Sequence, residues 1–211
     1  MHRTALPGAS AGIKISYENI YILLTRSQTI LSRLIHLATN DTYTHASIAW
    51  DDELTTLCSF ARRHSSLPLP AGLVREELCG GYYDLHRYMP CALLRLSVED
   101  ETHRLLREQI ERMLSDAARY RYSVAGLLCC RAGRELERDG RCFCSQFVAG
   151  ILENCGAVAL PKAPSLMRPE DLLHLPGIQI VHTGRLCDLT HPSLADVCAG
   201  NVALTPALGI A

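Results

Sequence analysis

A chain of 211 residues, 48% apolar and 20% charged, is long enough for one domain with a sizeable core. The formal net charge is -1 and arginines are interleaved with acids, so there is no basic stripe, and neither nucleic acid nor an anionic membrane is an expected partner. The opening residues show no apolar core followed by a cleavage site, and no apolar run is long enough for a membrane span, so a cytoplasmic chain is expected.

Taken in chain order, residues 1–15 read as a loose tail. Residues 20–25 (Ile-Tyr-Ile-Leu-Leu-Thr) are a continuous β-prone run, expected as a buried strand. Ser27 or Thr29 is placed to cap a helix through Thr39, with Ile30, Leu31, Leu34, Ile35 and Ala38 on one face. Residues 45–50 alternate, with His45, Ser47 and Ala49 on one side of a strand and Ala46, Ile48 and Trp50 on the other. Asp51-Asp52-Glu53 is a turn, and residues 55–61 are a returning antiparallel strand.

Residues 63–90 are rich in Pro, Gly, His and Tyr and read as a long loop with short strands, on a substrate-facing rim. A strand over 91–98 leads into an amphipathic helix over about 99–119, with Leu106, Ile110, Met113, Leu114 and Ala117 inward. A polar stretch over 131–141 precedes a helix that begins near Ser145, with Phe147, Val148, Ile151, Leu152 and Cys155 on its buried side. Gly156 stands where a left-handed residue ends a helix. One more strand is expected over 178–182, then a weakly structured tail over about 190–211. No repeat and no second domain boundary is visible, so the fold class is a single α+β domain with an antiparallel sheet.

Ten cysteines are many for such a chain. The close pairs are Cys129-Cys130 and Cys142-x-Cys144, and neither has the Cys-x-x-Cys spacing of a zinc knuckle. Most are expected as small buried residues. Cys144 differs by its place at a helix start. There the unpaired N–H groups and the dipole favour a thiolate, and the same N–H groups can hold an oxyanion. Cys142, off the helix start, is the weaker candidate. His45 is one histidine of nine, and small Ser47 and Ala49 on its strand face leave room beside it.

Tyr-Thr-His-Ala-Ser-Ile-Ala around His45, followed much later by Phe-Cys-Ser-Gln-Phe-Val-Ala-Gly-Ile-Leu around Cys144, resembles the circularly permuted papain-like cysteine hydrolases. That branch is related to the NlpC-like cell-wall peptidases and the lecithin:retinol acyltransferase-like proteins. Its histidine precedes its cysteine, as here, and the likeness spans roughly residues 20–186. The resemblance implies a permuted papain-like fold with the sheet packed against the cysteine helix, Cys144 as nucleophile and His45 as base. It also implies a third polar group on the following strand. Ser59 is the choice, because a turn centred near Asp52 pairs it with His45, whereas a one-residue shift selects Phe60. Serine orients an imidazole less strongly than the Asn, Asp, Glu, Gln or His the resemblance implies. Thr25, Ser27 and Ser145 are candidate neighbours of the oxyanion or substrate.

The expected activity is that of a thiol peptidase, amidase, esterase or acyltransferase acting on a small-molecule, peptide or lipid acyl substrate. No cofactor and no metal is implied. A non-catalytic ligand-binding protein on the same fold is the alternative, and a redox or metal protein built on the cysteines is a third reading.

Overall fold

The computed structural model describes residues 16–26, 41–62 and 71–189. It is a mixed α+β structure. The expected helix over residues 27–39, the candidate Ser27 and both expected tails lie outside the described residues.

Eight strands form one sheet in the order β7-β6-β4-β3-β2-β1-β5-β8. They are β1 (Tyr17–Thr25), β2 (His45–Ala49), β3 (Cys58–Arg62), β4 (Ala71–Arg75), β5 (Pro90–Glu99), β6 (Arg121–Tyr122), β7 (Arg141–Cys142) and β8 (Gln179–Arg185). Every pair is antiparallel except β6 and β7, which run parallel and correct the expectation of a wholly antiparallel sheet. Among the described residues, four α-helices join them: α1 (Gly81–Leu85), α2 (Asp100–Ser115), α3 (Val124–Arg131) and α4 (Cys144–Asn154).

β1 is central and covered on both faces, which is why its run is continuously apolar rather than alternating. Ile20, Ile22 and Leu24 enter one cluster with Ala46, Ile48, Phe60, Phe147 and Val148. Tyr21 and Leu23 enter a second, on the opposite face, with Leu57, Tyr83, Met89, Cys91 and Leu93. Burying each such large side chain stabilises the fold by about 1.5–3 kcal/mol. Helix α4 sits on the first face, and its Phe147 ring meets Phe60 with centroids 5.3 Å apart.

The start of α4 lies one residue earlier than expected. Phe143 is the N-cap and Cys144 the first helical residue. The C-terminus agrees with the sequence reading. Gly156 takes φ 72°. Its N–H donates to Glu153 O, and that of Ala157 donates to Leu152 O, so the last turn is closed as a Schellman motif.

The hairpin between β2 and β3 departs from the expected register. The Asp51 carboxylate accepts from the N–H groups of Thr55 (2.7 Å) and Thr56 (2.9 Å) and from both hydroxyls. These bonds hold residues 51–56 as a wound loop, with Leu54 at φ 55°, and delay β3 to Cys58. The ladder pair is Ile48↔Cys58. Continued outward, that register sets Ser59 opposite Ser47 and diagonal to His45, two residues from the expected pairing.

Candidate active site

Cys144 opens α4 with no side chain capping the helix, so the N–H of Ser145 is free to donate to the sulfur. A second donor is the N–H of Ala46. β2 leaves the β3 ladder after a single pair, and this N–H turns to the thiol instead. The third neighbour is His45, whose imidazole stands close enough to the sulfur for each group to shift the ionisation of the other. The fourth neighbour is Tyr122 on β6, whose ionisation the Cys144 charge opposes. The sequence-predicted pair is thus brought together, by α4 on one side and the first residue of β2 on the other.

The far nitrogen of the imidazole is held by a carboxylate that the sequence reading missed. His45 Nε2 lies 3.1 Å from Glu76 Oε1, with both side chains largely buried. An ionised carboxylate only accepts, so Nε2–H donates and Nδ1 is left to face the thiol. Ser47 Oγ and Ser59 Oγ each lie 3.2 Å from the same nitrogen. Both hydroxyls also donate to Glu76. Ser59 therefore does touch the ring, but as a companion of a stronger orienter. Glu76 follows β4 directly, in a stretch read as a rim; its neighbours make it a buried part of the site instead. Tyr83, from the same stretch, sits behind it with its hydroxyl 3.2 Å from Ser47 Oγ.

Thr25 is buried in this hydroxyl cluster, beside Tyr83. Its Oγ1 completes no hydrogen bond of ordinary geometry there. The Ser145 side chain is engaged elsewhere, donating to Met167 O at 2.8 Å. What Ser145 offers the sulfur is its backbone N–H, which depends on position and not on the serine.

The charges follow from these contacts. Burial opposes ionisation of Cys144, but the hydrogen bond and charge of His45, with the N–H groups of Ala46 and Ser145, hold its pKa below the ordinary thiol value. Burial also opposes a charged His45. The Glu76 carboxylate and the hydrogen bonds to Cys144 and Glu76 outweigh it and raise the imidazole well above its usual range. For Glu76, burial is overcome by the charge and hydrogen bond of His45 and by the two serine hydroxyls, so its carboxyl is lowered. Other thiols behave oppositely. Burial pushes Cys142 up to about 11 and Cys91 to about 12, and it raises Cys58, Cys130 and Cys155 as well. Tyr122, buried and facing the Cys144 charge, is raised well above the phenol value and stays a protonated donor.

Among the described residues, no group of three or more His, Cys, Asp or Glu side chains could hold a metal ion. No described helix is long and apolar enough to cross a membrane. Scans against protein-family models, curated proteins and solved structures find no match to this chain.

Proposed function

We propose that this chain is a cysteine-dependent hydrolase or acyltransferase with Cys144 as nucleophile, His45 as proton carrier and Glu76 as the group that orients His45. The observation that carries the reading is the thiol of Cys144. It stands beside a carboxylate-backed imidazole, and its ionisation is favoured while that of six other described cysteines is suppressed. A permuted papain-like fold accounts for the order of histidine before cysteine and for the packing of the cysteine helix on the sheet.

In this mechanism the thiolate attacks the carbonyl carbon of an amide, ester or thioester, and a C–S bond forms as the carbonyl π pair moves to oxygen. In this reading the N–H of Ser145 and the Tyr122 hydroxyl, both neighbours of the sulfur, donate to that oxygen. The oxyanion collapses, the bond to the leaving amine, alkoxide or thiolate breaks, and His45 gives it the proton taken from Cys144. Water, or another acceptor, then attacks the acyl-enzyme. His45 removes its proton, the tetrahedral intermediate collapses with cleavage of the C–S bond to release the acid or acylated acceptor, and the proton returns from His45 to the sulfur.

The experiment is rapid-mixing kinetics with a panel of nitrophenyl acyl esters and acyl-aminocoumarins, read with intact-protein and peptide mass. A burst of leaving group with one acyl group on Cys144 supports the reading. Absence of any acyl adduct on Cys144 across the panel overturns it.

A ligand-binding protein is the second reading. On its side is the burial of the nucleophile, since Cys144 is 3% exposed. That reading expects ligands to bind wild type and Cys144→Ala equally, with no covalent adduct.

A further inference from the structure

Glu76 is a buried charge, and burying a carboxylate is costly unless its lone pairs are filled. A carboxylate offers about four acceptor positions on its two oxygens. Two donors reach this one directly, His45 Nε2–H and the Ser47 hydroxyl, and two more hydroxyls stand behind them, Ser59 Oγ 3.2 Å from His45 Nε2 and Tyr83 Oη 3.2 Å from Ser47 Oγ. His45 and the serines come from β2 and β3. Tyr83 comes from α1, a separate short helix, and its ring is packed in the second apolar cluster among Tyr21, Leu23, Leu57, Met89 and Leu93.

We propose that Tyr83 is a positioning residue for the Cys144–His45 pair, fixing Glu76 through Ser47 so that the carboxylate stays aimed at the imidazole. The proposal rests on the reading of Cys144 and His45 as the reacting pair. Its physical basis is rigidity. The serines are held by their strand ladders, Ser47 against β1 and Ser59 against β4, and the Tyr83 ring, clamped by large side chains, brings its hydroxyl to Ser47 from a separate element. Burial, then the neighbouring Glu76 charge, raises the phenol well above its ordinary value, so it remains a donor wherever Glu76 is ionised. The titratable groups facing Glu76 are His45 on β2, Cys58 on β3 and Tyr83 on α1, while Cys144 on α4 and Tyr122 on β6 lie across the imidazole.

Removing the tyrosine hydroxyl frees Ser47, weakens the bond Ser47 gives Glu76, raises the carboxylate's proton affinity and loosens its hold on the imidazolium. The thiolate then loses part of its partner, and the pH at which Cys144 ionises rises. A hydrogen bond to a charged group is strong enough for a shift of about one pH unit. A purely structural role predicts something else: lower thermal stability with the inflection unmoved.

The test is the iodoacetamide rate at Cys144, followed by peptide mass from pH 4 to 9, in wild type, Tyr83→Phe, Ser47→Ala, Glu76→Gln and the Glu76→Gln/Tyr83→Phe double variant. Thermal midpoints are measured alongside to establish folding. Tyr83→Phe and Ser47→Ala should each move the inflection upward by about one unit. Tyr83→Phe should add nothing once Glu76 is glutamine, since the chain of contacts runs through the carboxylate. An unmoved inflection in folded Tyr83→Phe, or an equal shift in the Glu76→Gln background, overturns the proposal. If Tyr83→Phe does not fold, Ser47→Ala decides it, and an unmoved inflection there overturns it. A wild-type chain in which Cys144 shows no depressed inflection removes the reading of the reacting pair and this inference with it. A normal wild-type profile with unmoved variants removes the inference alone.

Discussion

Replacing Glu76 by glutamine keeps the side chain's shape and one acceptor while deleting its charge. In the native site that charge stands 3.1 Å from His45 Nε2. At an effective dielectric of about 20, two unit charges at that separation attract by about 5 kcal/mol, a ceiling that dehydration of both groups reduces. Measured hydrogen bonds to charged groups give about 1.5–3 kcal/mol, which is about one to two pKa units. The direction follows from linkage. Without the carboxylate His45 holds its proton less tightly, so the imidazolium that stabilises the Cys144 thiolate is lost at lower pH and the thiol ionises at higher pH. In Glu76→Gln the inflection of Cys144 alkylation should therefore rise by about one to two units, and at pH well below the inflection the rate should fall by about ten- to hundredfold. Alkylation followed by peptide mass measures this without any knowledge of the substrate. A Glu76→Gln variant with the wild-type inflection would refute the reasoning, because the carboxylate would then not set the state of the imidazole.

Three further outcomes are expected. In a turnover assay, His45→Ala should lose about 10²–10⁴-fold, the usual worth of general acid–base help, whereas Ser59→Ala should lose about tenfold at most through one hydrogen bond; equal losses would show that the serine is misjudged. The stability difference between wild type and Glu76→Gln, from urea titration, should be largest between about pH 4.3 and 6.5. The lowered Glu76 carboxyl contributes above its unfolded value and loses that contribution as pH falls through its folded value, while the raised His45 contributes below its unfolded value and loses it as pH rises through its folded value, so a difference constant with pH would be contrary. Phe147→Ala should cost about 3–5 kcal/mol in the same titration, since the ring is buried against Phe60, and a loss under 1 kcal/mol (about the size of one methylene) would contradict the packing described.

Much of the frame could be read from local patterns. The alternation of β2 and the stripe of α4 each carry a period, and β1, which has none, is marked by a short β-prone apolar run. Gly156 marks the end of α4 for a reason of backbone geometry. The position of Cys144 at the head of that helix was legible in the same way. Glu76 was not, because a lone carboxylate after a five-residue strand in a Pro- and Gly-rich stretch looks like any solvated acid. Its role arises from β4 pairing with β3, a contact between segments whose register no local pattern encodes. Ser59 was found for a partly wrong reason. The Asp51 loop shifts the hairpin register by two residues, yet the side chain still reaches the imidazole on the diagonal. Helix α3 and the parallel β6–β7 pair were missed since eight- and two-residue elements carry too little periodicity to stand out. Tyr122 escaped with them, its position at the sulfur being set by that parallel pair.

The most direct test of the central claim is competitive labelling of all the thiols in one wild-type sample. Limiting iodoacetamide is applied at graded pH, and each cysteine-bearing peptide is quantified by mass. The account predicts that Cys144 is modified first, with an inflection below the free-thiol value of about 8.5, while Cys142 and Cys130 lag at every pH up to that value. Labelling that begins at Cys142 or Cys130, or that shows Cys144 ionising no earlier than they do, would contradict it.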